Sequence, residues 1–130
     1  MKFWMHSVVA GVIVVGLSGA TALAQAPKAV ELGSIQFPTS AKPAAQAPFL
    51  TGVKALYNFE FDIAADAFHE AQKADPAFAL AYWGEAMSYN HPLWAQQDLA
   101  AARKALEKLA PTAAARAAKA PAGKERELME

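Results

Sequence analysis

Apolar residues recur at three- and four-residue spacing from Pro48 onward, the period of one buried helix face. Phe49, Gly52, Val53, Leu56 and Phe59 form the first stripe. Pro48 suits the first helical position, where its missing N–H costs nothing. Asn58 and the run Phe59-Glu60-Phe61 mark a turn. A second stripe of Ile63, Ala64, Ala67, Phe68 and Ala71 predicts a helix from Asp62 to Ala74, stopped by Asp75-Pro76. A third helix is expected from Phe78 to Asn90 through Leu80, Tyr82, Trp83, Ala86, Met87 and Tyr89, ending at His91-Pro92 because the residue before a proline disfavours helical geometry. The fourth spans Gln96 to Ala110, with Leu99, Ala102, Leu106 and Leu109 at gaps of 3, 4 and 3. Thr112 can cap a short helix from Ala113 to Ala120, and Lys124 to Glu130 reads as the opening turns of another. Nothing from 48 to 130 alternates as a strand does. Short loops make neighbours antiparallel hairpins, so the expected fold class is all-α.

The first residues follow a different pattern. Lys2 is followed by the apolar run Val8 to Leu17 and then by the small-x-small triplet Ala22-Leu23-Ala24. Basic start, apolar core and A-x-A site are the order of a secretory signal peptide, so residues 1–24 are read as a signal cleaved after Ala24 and the protein as exported, periplasmic or secreted. The rival reading is a retained membrane anchor, but the run falls short of the ~20 residues a spanning helix needs. Residues 25–47 hold Pro27, Pro38 and Pro43 with no period of 2 or 3.6, and read as a Pro-rich linker.

Charge and composition then remove several functions. Twelve Lys and Arg balance twelve Asp and Glu, leaving no basic excess to track a phosphate backbone, so no nucleic-acid partner is expected. The absence of cysteine excludes disulfides, thiolate metal sites, a Cys nucleophile and lipidation on Cys. His69 next to Glu70 invites a metal reading, but a helical zinc pair needs a ligand four residues on, where Lys73 stands; a solvated helix face is the better account. His91 reads as a helix-terminal residue bonded to free carbonyls. No Ser/His/Asp order, phosphate loop or pair of buried carboxylates can be assembled, so no catalytic residue, metal or cofactor is expected.

Two local copies are visible. Gly52-x4-Tyr57-Asn58 is echoed by Gly84-x4-Tyr89-Asn90 at an offset of 32, and Phe61, Ala64, Phe68, Ala71 and Asp75-Pro76 alternate small residues with rings. Small residues let helix backbones approach while rings fill the grooves beside them. On these residues, with Tyr82, Ala86 and Tyr89 opening a second unit, the chain resembles the tetratricopeptide repeat (TPR) family. The stretch from Asn58 to Trp94 looks like the opening repeats of larger exported bacterial TPR proteins. The resemblance covers residues 48–110; the rest, 111–130, reads as the start of further helices, cut short. It departs from the family where Ala102, Leu106 and Leu109 match the first unit only at an offset of 38, which places four extra residues around His91-Pro92-Leu93-Trp94.

The resemblance implies an α-solenoid of about two repeats, a non-catalytic module binding a protein or peptide. Its concave face would carry Phe49, Val53, Trp83, Met87 and Asn90. Trp83 has packing on the preceding hairpin as its plainer role, and Trp94 packing on the extra loop. Phe49 and Val53 stand where carboxylate-clamping members carry Lys and Asn, so no such clamp is implied. Because at least three repeats are normally needed, unfilled ends would favour self-association or a longer parent chain. The alternative is a helical scaffold of a larger periplasmic enzyme or cofactor-binding protein whose site lies beyond residue 130.

Overall fold

The computed structural model describes residues 32–130, and in it the helical stripes become α1 (Pro43–Tyr57), α2 (Phe61–Ala74), α3 (Ala79–Met87), α4 (Leu99–Glu107), α5 (Ala113–Lys119) and α6 (Lys124–Glu127). The chain is all-α. The signal segment and the first seven residues of the lead-in lie outside the described residues.

Helix α1 begins five residues earlier than the proline pattern predicts. Pro43 takes the first position and Pro48 lies inside the helix, where it cannot donate to the carbonyl four residues back. Two things outweigh that loss. Ala45 and Phe49 are fully buried, anchoring the first turns. Lys42, the N-cap residue, has no capping side chain of its own, but its N–H donates to Asp75 Oδ2 at 3.0 Å. The residue that stops α2 thus caps α1, placing a carboxylate at the positive end of its dipole. The lead-in is irregular but is not a spacer, because Leu32, Ile35 and Phe37 pack on the core.

The centre of that core is the Phe68 ring. It is fully buried on α2, between the backbones of Gly52 on α1 and Gly84 on α3. A Cβ at Gly52 would stand 2.7 Å from the ring, and one at Gly84 would be closer still. The glycine echo is therefore a pair of notches for one ring. Phe49 extends the cluster, with ring centroids 5.8 Å from Phe68, 5.0 Å from Phe78 and 5.6 Å from Phe37. A second cluster joins Ala79 and Tyr82 to Leu109, Ala117, Ala120 and Met129, and Trp83 packs against both clusters.

The segment that breaks the repeat register has a structure of its own. Asn90 and His91 pair antiparallel with Gln97 and Gln96, as strands β1 (Asn90–His91) and β2 (Gln96–Gln97), around a 3-10 turn at Pro92–Trp94. This corrects the expectation that 48–130 holds no strand; two-residue strands are too short to show alternation. It also shortens α3 and delays α4 to Leu99, where Asp98 caps the helix by accepting from the Ala101 N–H at 2.9 Å. Thr112 caps α5 by accepting from the Ala115 N–H at 3.2 Å. The lead-in meets α6 where Ser40 donates through N and Oγ to the two carboxylate oxygens of Glu125, at 2.6 and 2.7 Å.

Substituting the notches tests this packing. Gly84→Ala is expected to destabilise by about 1–3 kcal/mol despite alanine's better helix propensity, because the new methyl overlaps a ring with no room to shift. Phe68→Leu alone leaves a partial cavity, and in the double variant the two losses should fall short of additivity by at least ~0.5 kcal/mol. Urea unfolding of the four proteins measures this coupling.

Candidate functional site

Trp83 and Met87 lie one turn apart on α3 and meet Val53, Leu56 and Tyr57 of α1, with Phe37 closing one side; these six residues line an apolar hollow of about 230 Å³. A second hollow of about 140 Å³ shares Leu56 and Met87 and continues to Phe59, Phe61, Asn90 and Pro92. Together they make a groove along the α1/α3 face. Of the five residues expected on a binding face, the first hollow holds Val53, Trp83 and Met87, and the second holds Met87 and Asn90. Phe49 is not among them. It is fully buried, because the lead-in covers α1 with Phe37 and the ring is enclosed by Phe37, Phe68 and Phe78. Trp83 both packs on the two clusters and lines the groove. Leu56, expected in the buried stripe, and Tyr57, expected only in the glycine echo, also line the hollow, as three- and four-residue spacing from Val53 allows.

At the far end the groove meets three rings. Phe59–Phe61, Phe59–Trp94 and Phe61–Trp94 have centroid separations of 6.4, 6.2 and 6.0 Å and interplanar angles of 60°, 76° and 83°. Trp94 is 56% exposed and Phe59 48%. The extra loop therefore displays Trp94 instead of burying it. His91 stacks on Phe61 at 4.0 Å while its Nε2 donates to the Ser88 carbonyl at 2.9 Å, the helix-terminal contact expected of it. Phe59 itself has φ +61°. It follows the C-cap of α1, with its N–H on the Leu56 carbonyl at 3.1 Å and that of Glu60 on the Ala55 carbonyl at 3.0 Å. That is a Schellman ending with phenylalanine where glycine is usual.

One charged group lies inside the fold. Glu85 on α3 is 1% exposed; its Oε1 accepts from Lys108 Nζ at 2.6 Å and its Oε2 from Gln72 Nε2 at 2.7 Å. His69 Nε2 stands 2.9 Å from Oε1, without the alignment of a hydrogen bond. His69 therefore faces a buried carboxylate, which corrects its reading as a solvated face; its partner is sixteen residues away and leaves no local pattern. Burial pushes the Glu85 carboxyl up, but the Lys108 ammonium, the Gln72 amide and His69 together hold it below the ordinary carboxylate range. Asp75 is likewise lowered, chiefly by the Lys42 N–H. Both groups secure helix packing, and neither borders the apolar groove. Among the described residues no three His, Cys, Asp or Glu side chains gather as metal ligands, and no helix is long and apolar enough to cross a membrane.

Comparison with protein-family models, with curated proteins and with solved structures gave no match. The reading of the site accordingly rests on its geometry.

The buried carboxylates give stability a pH dependence of definite sign. Their pKa values are lower in the folded chain, so on acidification the unfolded chain takes up protons first. Stability is complete above the ordinary range near pH ~4 and is lost as pH falls through the folded values. Glu85→Gln should flatten this acid loss in urea melts between about pH 2 and pH 7. Lys108→Met should instead cost on the order of 2 kcal/mol at neutral pH by stranding the carboxylate, less than for a fully buried pair because the ammonium is half-exposed.

Proposed function

We propose that the chain is a TPR-like binding module of an exported protein, non-catalytic, which holds an extended peptide segment of a partner along the α1/α3 groove. The observation that carries this is the convergence of Val53, Leu56, Trp83 and Met87 from two helices on one uncovered apolar channel. The helix hairpins α1/α2 and α3/α4, the Phe68 ring between glycine notches, and the Asp75-Pro76 stop support the repeat reading. In that family the first helix of each pair lines the concave surface, a place that this reading gives to α1 and α3.

With Phe68 seated on two glycines, α1 and α3 both pack on α2, and their side chains line the hollows of about 230 and 140 Å³. Aromatic residues and methionine on such a surface supply large contact areas, and methionine adapts to differing partners. An aromatic anchor in a pocket is the usual energetic centre of an interface.

Panning a library of extended peptides against the full chain, followed by titration of the selected sequences, tests this reading. Met87→Glu lies at a partly exposed position and should leave helicity intact while weakening binding at least tenfold, about 1.4 kcal/mol. Trp83→Ala should weaken it further, with some loss of stability because Trp83 also packs on both clusters. Selected peptides that bind Met87→Glu as well as the parent chain would remove the groove from consideration.

A further inference from the structure

We propose, resting on the peptide reading above, that the corner of Phe59, Phe61 and Trp94 is a cation subsite, which takes an arginine or lysine side chain of the peptide lying in the groove.

The geometry of the rings comes first. Three rings at mutual angles of 60–83° with centroids 6.0–6.4 Å apart form three walls of a corner. A charge seated in a corner of that size lies roughly 4–5 Å from each centroid, inside the ~6 Å over which a ring quadrupole attracts a cation. One face of Phe61 is occupied by His91 at 4.0 Å, which fixes the orientation of that wall. Trp94 and Phe59 remain about half exposed, so a ligand can reach both rings.

Charge is complementary. Glu60 and Asp62 alternate with the rings in the sequence Phe59-Glu60-Phe61-Asp62, and both are exposed. Among the described residues neither forms an ion pair. No Lys or Arg occurs between Lys54 and Lys73, nor between Lys73 and Arg103, so the one titratable base that the two segments bring to the corner is the His91 imidazole stacked on Phe61. The corner also continues the groove, since Phe59 and Phe61 line the hollow that shares Leu56 and Met87 with the Trp83 pocket. A peptide anchored on Trp83 by an apolar residue thus reaches the corner with a neighbouring long side chain.

Backbone strain is an independent observation. Among the described residues the two non-glycine positions with positive φ are Phe59, at +61°, and Ala95, at +51°. One carries a ring of the corner and the other follows Trp94 directly. Glycine would suit both better, and a bulky residue in this region is an outlier whose cost is retained only where something else depends on it. At Phe59 that dependence is the ring, because the Schellman turn itself needs only backbone.

The test uses the full chain and has two arms. In the first, tetramethylammonium chloride is titrated against its neutral isostere tert-butyl alcohol, following the tryptophan indole and phenylalanine ring resonances by NMR. Saturable shifts with the cation alone, lost in Phe59→Gly and in Trp94→Ala and weakened about threefold in Glu60→Gln/Asp62→Asn, support the subsite. Phe59→Gly keeps the test sound, because its melting temperature should equal or exceed that of the parent chain. Equal shifts with the alcohol, or undiminished binding by Phe59→Gly, overturn the proposal. In the second arm, a selected peptide carrying arginine is compared with the same peptide carrying citrulline. About tenfold tighter binding of the arginine form, abolished by Phe59→Gly, is expected; equal affinities overturn the assignment. Saturable tetramethylammonium binding with no peptide binder at all overturns both the peptide reading and the source assigned here, while supporting the cation selectivity of the corner.

Discussion

The seating of Phe68 between two glycine backbones is the constraint on which the rest of the molecule depends. The ring approaches the main chain of both α1 and α3 so closely that any β-carbon at Gly52 or Gly84 would overlap it. A single side chain therefore fixes the separation of three helices at once. It holds α1 and α3 against α2, and side chains of α1 and α3 line the groove. Close packing of this kind has little tolerance, since interiors match organic crystals in density and a single added methylene is felt. The alanines at 64, 71 and 81 serve the same end, keeping neighbouring backbones near while rings occupy the spaces left. Packing here sets the geometry of the surface as well as the stability of the interior.

Polar contacts secure what the rings position. Asp75 closes the start of α1 from the end of α2, and Glu85 gathers donors from α2 and from Lys108 beyond α4 onto α3. Apolar burial is non-directional and would permit α4 to slide along its neighbours. A buried carboxylate with fixed donors admits one register, because displacement would leave the charge unpaired at a cost of several kcal/mol. The short extra loop between β1 and β2 can then stand clear of the core, held by its own ladder, and carry Trp94 to the rings that follow α1.

Those divisions explain what could be read from the sequence. The stripes of α2, the Asp75-Pro76 stop and the Thr112 cap depend on residues a few positions apart, and local periodicity finds them. Glycines 52 and 84 are visible as an echo, though not as two sides of one contact. Phe49 belongs to the buried stripe of α1 by spacing and to the concave face only by the family resemblance; the stripe prevails, because Phe37 of the lead-in covers the ring. The start of α1 was hidden by prolines whose penalty is outweighed by burial and by a cap supplied from thirty-three residues away. Glu85 left no signal, since its partners lie thirteen to twenty-three residues distant and no spacing rule connects them. In the groove, Trp83 and Met87 were legible from their four-residue spacing, whereas the aromatic corner was not, because a turn and a loop from two parts of the chain build it.

The left-handed backbone at Phe59 and Ala95 bears on why that corner exists. A chain selected for stability alone would place glycine at a left-handed position, since another residue there costs on the order of 1–3 kcal/mol. That is a noticeable fraction of the ~5–15 kcal/mol by which domains are stable. Both departures occur at the two junctions that aim rings at one another, and the helices elsewhere end without them. Local rules and global fold agree along most of this chain, and where they disagree the natural inference is a site retained for another purpose. A half-exposed triad of rings contributes less to the core than the same area buried, which is consistent with the contact proposed above. The cost in the turn and the exposure of the rings are in that sense one observation, and both support the proposed subsite at Phe59, Phe61 and Trp94.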